Sequence, residues 1–544
     1  MTANSDDIYI KADRNIEVAK KSVTLGDVLK IECVNPAMLA RINTVTFNGL
    51  EVLNVDLQVQ ISSGMPAFSI VGLPDKSIAE SRERVRAALN SLGLSVPAKR
   101  ITINLAPADL LKEGAHFDLP VALGLLAGMG IIPQEEISRY VVLGELSLDG
   151  AILPVNGALP VAIKANAQNL GLICPEAQGA EAAWSGLKDI IAASSLLALI
   201  NHFKGAQIIP APKTLKKAPA AKHLDMKDVK GQESAKKALE IAAAGGHNML
   251  MIGPPGAGKS MLASRLPGIL PPLTPEEALA TSMIHSIAGA LKDGQLCFER
   301  SFRAPHHNAS TPALVGGGRR AEPGEISLAH NGVLFLDELP EFNRATLEAL
   351  RQPLENGSIT ISRVNAHTTY PAKFQLITAM NPCRCGNLGN PRFECSRAPK
   401  CAEEYQAKIS GPLLDRIDIQ IEVPAVSPWE IADVKTGESS AEILQRVIHA
   451  RNIQTERFRR FGHPELHTNS ELRGDLLEQA VQLDNDAEQL LIAFADKNNL
   501  SARAYHRILR LARTIADLQN NEKVLKLHVA EALSYRRALP NRRK

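Results

Sequence analysis

Aromatic residues make up only 4% of the 544-residue chain, too few for an extensive base-stacking platform. The seven cysteines are an odd number scattered along a long chain with no secretory leader. That usage argues against a disulfide-stapled fold and points to a reducing cytoplasm. The opening MTANSDDIYI carries acids and lacks the apolar stretch of a signal sequence. Long hydrophobic runs are missing too. Residues 119–132 and 190–200 are shorter than the roughly 20 residues a bilayer requires, and glycines interrupt the first. Both read as core segments, and no membrane partner is expected. A net charge of +3 announces no polyanion partner globally, so any nucleic-acid contact has to come from local basic patches.

The length predicts two or three domains, each with its own core. Residues 1–37 form an N-terminal extension with no readable role, and Met38 is an alternative start. From there to residue 207, strand patterns such as LARINTVTFNGLEVLNVDLQVQIS alternate with helical ones such as residues 77–92, which predicts an α/β domain. A Pro-, Ala- and Lys-rich stretch through residue 222 reads as a linker. A second α/β segment spans residues 223–426, and residues 427–544 turn helical.

Within the second segment, NMLMI reads as a buried strand running into GPPGAGKS and then a helical MLASRL. Gly253, Gly256 and Gly258 let the backbone of Gly253, Pro254, Pro255, Gly256, Ala257, Gly258, Lys259 and Ser260 wrap a polyphosphate, and the following helix adds its positive end. Lys259 is expected to reach the β/γ-phosphates and Ser260 to ligate Mg²⁺. Downstream, GVLFLDELP reads as a buried strand ending in Asp337, expected to hold the Mg²⁺ shell, and Glu338, expected to polarise the attacking water. A third strand pattern, FQLITAMN, ends at Asn381, a candidate for positioning that water. In SGPLLDRIDI, Arg416 is either a salt-bridged surface group or, in a ring, a finger entering the neighbour's site.

Together, GPPGAGKS, FRAPHH, VLFLDELPEF, AMNPCRCG, ISGPLLDRID and LSARAYHRILRLARTIADL resemble AAA+ ATPases, in particular the magnesium-chelatase-like YifB/ComM family, over residues 39–540. The resemblance implies a hexameric ring ATPase using ATP and Mg²⁺. Its ComM-type members look like DNA motors promoting branch migration on single-stranded or branched DNA during transformation. It gives Asn381 the sensor-1 role, Arg416 the arginine-finger role and Arg503 the sensor-2 role. The implied fold is a Lon-protease-like (S5-type) α/β domain, a P-loop AAA+ parallel-sheet domain and a C-terminal helical lid.

KEGAHFDLP and GELSLDGAILPVNG are similar to Lon-type protease stretches, yet His116 stands near the serine position and Leu159 near the lysine position. No Ser–Lys mechanism is expected. Arg303, His306, His307, Arg319 and Arg320 make an insertion in the ATPase core basic, and SITISRVNAHTTY reads as a hairpin with Arg363 and His367 near its tip. These are candidate grips on a phosphate backbone. Arg503, Arg507 and Arg510 share one helix face, either solvated or turned to a neighbour or nucleic acid. Cys383, Cys385, Cys395 and Cys401 are spaced C-x-C, nine residues, C, five residues, C. Two readings stand, a closed tetrahedral Zn²⁺ site or reduced loop cysteines with no ligand role. Besides a DNA motor, the motifs leave a chelatase motor subunit, an ATP-dependent protease and a nucleotide-gated scaffold as functional classes.

Overall fold

The computed structural model describes residues 38–214, 223–291, 293–318, 321–363, 366–388, 395–425 and 437–536, with the backbone alone at 38, 363 and 366. The extension before Met38, residues 215–222 of the expected linker, Arg319, Arg320 and the side chain of Arg363 lie outside the described residues, as does the stretch around 427 where the helical region was expected to begin. The chain forms two compact units.

In the first unit (residues 38–46, 54–153 and 193–210) the strands β1 (Met38–Asn48), β2 (Glu51–Ser62), β3 (Ala67–Val71), β4 (Arg100–Ala106) and β5 (Tyr140–Val142) run in the order β3-β4-β2-β1-β5. Strand alternation turns Val55, Leu57 and Val59 of β2 and Ile101, Ile103 and Leu105 of β4 into the core. The apolar run at 119–132 supplies a helix, α2 (Asp118–Gly128), buried along its whole length. Gly124 permits its approach, since a Cβ there would lie 2.6 Å from Val59 Cγ2. Helix α1 (Lys76–Ser91), capped by Asp75, is tied to α2 where Arg84 Nε donates to the fully buried Asp118 at 2.6 Å. His116 is buried, its Nε2 2.9 Å from Val45 O.

The second unit holds residues 47–53, 154–192 and everything described after 210. Segment 154–192 is joined to the rest of this unit by the buried Glu181, which accepts from Ser286 Oγ, by Gly157 N donating to Ser286 O at 3.1 Å and by Trp184 meeting Phe298 edge-on. Strands β6 (Met249–Ile252), β7 (Phe302–Arg303), β8 (Val333–Leu336), β9 (Ser358–Arg363), β10 (Ala366–Pro371), β11 (Gln375–Met380) and β12 (Ile419–Glu422) follow one another in the chain. Five of them form a parallel sheet ordered β7-β8-β11-β6-β12. β6 and β8 are continuous apolar runs because both faces are covered. Val333 and Phe335 enter one core cluster, Leu334 and Leu336 the other. β9 and β10 pair as the expected antiparallel hairpin.

Residues beyond 437 are mostly helical, led by α3 (Ser440–Arg460), which opens on a Ser439–Glu442 capping box, and α4 (Ala502–Leu518). No helix among the described residues is long and apolar enough to cross a membrane. A buried charge network locks this region. Asp517, fully buried, accepts from Arg457 Nη1 at 3.1 Å, Arg513 Nε at 3.0 Å and Asn469 Nδ2 at 2.8 Å. Asp517→Ala strands two guanidinium groups and is expected to cost about 3–5 kcal/mol, read as a lower urea midpoint; an unchanged midpoint contradicts the network's role.

Candidate active site

Because the strands are parallel and in register, the C-terminal ends of β6, β8 and β11 reach one edge of the sheet together, with Ile252 opposite Met380 and Leu336 opposite Thr378. The next residues, Gly253 and Asn381, are therefore level with each other, and Asp337 leaves β8 two positions earlier at the same edge. Gly253 has no room for a side chain, since a Cβ would sit 2.1 Å from Val423 O. Gly256 and Gly258 have φ of 78° and 88°, which curls the loop into the helix Lys259–Ala263.

The loop from Pro255 to Met261 lines a cleft of about 410 Å³ together with Asp337, Glu338, Met380 and Asn381. Lys259 Nζ donates to Gly253 O at 2.7 Å, Pro254 O at 2.9 Å and Asn381 Oδ1 at 3.2 Å. Burial lowers its pKa, against the pull of Asp337 and Glu338. Ser260 Oγ donates to Asp337 Oδ2 at 2.5 Å, and Glu338 N to Asp337 Oδ1 at 2.9 Å. Glu338 itself sits in the left-handed region at φ 52°, a conformation that a non-glycine residue adopts only under local constraint. Five expected site residues, Lys259, Ser260, Asp337, Glu338 and Asn381, thus meet in one cleft. A lysine aimed inward, loop N–H groups and a hydroxyl–carboxylate pair suit a triphosphate with a hard divalent cation.

Two expected residues lie elsewhere. The Arg416 side chain, 11% exposed, pairs with Glu355 and donates through Nη1 to Pro412 O at 2.5 Å. Burial and the nearby Arg351, Arg503 and Arg507 depress its pKa. Arg503 is exposed at the start of α4. Neither lines the cleft of its own chain.

The shared face of Arg503, Arg507 and Arg510 is not one solvated stripe, since Arg503 is exposed while the other two are engaged by their own chain. Arg507 is 3% exposed, 3.4 Å from Asp415, and Arg510 donates to Ser470 O at 2.9 Å. The basic insertion needs a similar correction. Arg303 is held by both oxygens of Glu325, at 2.6 and 2.5 Å, and His307 Nδ1 lies 3.3 Å from Glu338 Oε2. His306 and the hairpin's His367 remain exposed. Reading the insertion only as a basic surface missed the carboxylate partner of His307. The signal available was the pair of histidines closing FRAPHH.

The sulfur atoms of Cys383, Cys385, Cys395 and Cys401 all lie within 4.8 Å of one another. A tetrahedral Zn²⁺ with ~2.3 Å bonds places its sulfurs about 3.8 Å apart. The Cys385 thiol is pulled down to about 7, first by the backbone N–H of Asn387 and then by the three other thiols. Gly386, in the same loop, rests on the phosphate loop, where a Cβ would come within 2.6 Å of Pro255 Cδ.

A family model described as magnesium chelatase, subunit ChlI, matches residues 225–431. A model for subunit ChlI of Mg-chelatase matches residues 57–178, and one for the ChlI C-terminal part matches residues 437–536. A model for stage V sporulation protein AA matches residues 5–58, mostly outside the described residues. The chain is 43% identical over 494 residues to competence protein ComM of Haemophilus influenzae, covering 90% of this chain and 95% of that protein. It is 42% identical over 499 residues to YifB of Escherichia coli, covering 92% and 97%. A more distant match, 23% identical over 227 residues, is DNA replication licensing factor Mcm6 of Drosophila melanogaster, covering 39% of this chain and 25% of that protein.

Proposed function

Since the chain belongs to the magnesium-chelatase-like AAA+ ATPases that include ComM and YifB, we propose that it is a cytoplasmic homo-hexameric motor that hydrolyses ATP to act on single-stranded or branched DNA. Branch migration in transformation and recombination is the process this reading favours. The observation that carries it is the convergence of Lys259, Ser260, Asp337, Glu338 and Asn381 in a cleft that no arginine lines among the described residues. The relation to a competence protein and, more weakly, to a replication factor favours DNA over a porphyrin as the substrate.

In this scheme the N–H groups of residues 256–260 receive the phosphate oxygens, and Lys259 exchanges its carbonyl contacts for the β/γ-phosphates. Ser260 and Asp337 hold Mg²⁺, which when bound neutralises charge on the phosphate oxygens. Glu338 takes a proton from the attacking water while Asn381 orients that water. Arg416 leaves Glu355 to stabilise charge in the neighbouring protomer's cleft, and Arg503 contacts the nucleotide from the helical region. The exposed His367 end of the β9–β10 hairpin and His306 stand as contacts to the DNA backbone. The N-terminal unit, with His116 where a Lon-type nucleophile would stand, serves assembly or DNA binding without proteolysis.

We further propose that the four clustered cysteines bind one structural Zn²⁺, whose site braces the loop that rests on Pro255. Two measurements test these readings. ATP turnover should rise when single-stranded or forked DNA is added, whereas stimulation only by another protein would support a chelatase subunit or scaffold. Metal analysis of purified protein should find one zinc per chain, and less than about half an equivalent contradicts the closed site.

A further inference from the structure

Arg416 stands in segment 415–418, which joins the short helix Gly411–Leu414 to β12. One side of this segment is fixed to the entry of β6. Asn248 Nδ2 donates to Arg416 O at 2.9 Å, and Asp418 N donates to Asn248 O at 3.0 Å. The other side meets α4 through a single guanidinium. Arg507, only 3% exposed, donates through Nη2 to Asp415 Oδ1 and through Nη1 to Ile417 O, both at 3.4 Å. Its Nε donates to Arg503 O at 3.2 Å. The residues immediately before and after Arg416 are therefore held by one side chain, and among the described residues no other group pairs with the Asp415 carboxylate.

The Arg416 side chain is held less completely. It reaches Glu355 and Pro412 O, yet its buried Nε finds no partner among the described residues. The charges of Arg351, Arg503 and Arg507 also disfavour its cation. Arg507 thus grips the backbone on both sides of Arg416 while its charge pushes against the Arg416 guanidinium. A buried guanidinium must find acceptors, and two of the three that Arg507 has among the described residues belong to this segment. A side chain delivered across a subunit boundary is placed only as well as its own backbone, and a displacement of about 1 Å at a reacting centre costs on the order of 100-fold in rate. We infer that Arg507 is a positioning residue for Arg416: it fixes the backbone from which Arg416 reaches the neighbouring protomer's cleft. The inference rests on the reading of Arg416 as that cleft's source of positive charge.

The test uses mixed assemblies of full chains, in which Lys259→Ala chains supply the arginine and Arg416→Ala chains supply the cleft, under the conditions in which wild type turns over. Arg507→Met, which keeps most of the side chain's bulk and removes its donors, is added to one chain or the other. In the arginine supplier it should lower the recovered ATP turnover about 10-fold or more. In the cleft supplier, whose Arg416 is already gone, turnover should stay within about twofold of the parent mixture. Asp415→Ala, at a half-exposed site, repeats the comparison without emptying a buried position and should show the same asymmetry with a smaller loss. Asymmetry with either substitution supports the inference. Symmetric losses, or none, with both overturn it, because a role in folding or assembly alone does not distinguish the two positions. If the parent mixture itself recovers no hydrolysis, the reading of Arg416 fails first and this inference with it.

Discussion

Lys259 projects its ammonium into the cleft among two main-chain carbonyls and the Asn381 amide oxygen, with no carboxylate at ion-pair distance among the described residues. Two acids stand nearby, but each is engaged elsewhere. Asp337 takes hydrogen bonds from Ser260 and the Glu338 N–H, and Glu338 faces His307. Had either acid paired with Lys259, the cleft would neutralise itself and a polyphosphate would have to break that pair to enter. The cost appears in the lysine's lowered pKa, because burial disfavours an ammonium whose partners are only dipoles. An anion with several oxygens relieves that penalty, which is why the site's electrostatics and its proposed ligand are a single argument.

Among the described residues the same cleft has one lysine but no arginine, and a departing phosphoryl group develops more charge than one ammonium offsets. The candidates for the missing charge are occupied or distant. Arg416 is paired with Glu355 in a partly buried setting crowded by other guanidinium groups, and Arg503 is exposed at a helix start. Crowding of like charges makes Arg416 a cation with something to gain from a new anionic partner. In a ring, the neighbouring subunit's cleft is such a partner.

The sequence made the sheet edge legible because each part is written locally: an apolar run buried on both faces, followed at once by a glycine loop, two acids or an asparagine. The hairpin at 358–371 was equally plain, since alternation and a short turn are also local signals. Contacts between distant segments were not. Helical spacing correctly put Arg503, Arg507 and Arg510 on one face, but whether that face meets water depends on Asp415 and Ser470, which no periodicity reveals. The pairing of His307 with Glu338 needed the register of two strands far apart in sequence, and the grouping of segment 154–192 with the ATPase unit rests on long-range contacts such as Glu181 with Ser286 and Trp184 with Phe298. The cysteine spacing left two readings open, and only the approach of the four sulfurs favours the metal.

The central claim is that a complete catalytic site requires two protomers, one giving the cleft and the other Arg416. Mixing two variants tests it most directly: Lys259→Ala chains keep their arginine but lose the cleft, while Arg416→Ala chains keep the cleft but lose the arginine. Each alone should hydrolyse ATP only at background. Mixed, they should regain turnover wherever an intact cleft faces an intact Arg416. Co-assembly of the two chains with no recovered hydrolysis at any ratio, or full activity of Arg416→Ala alone, would contradict the account.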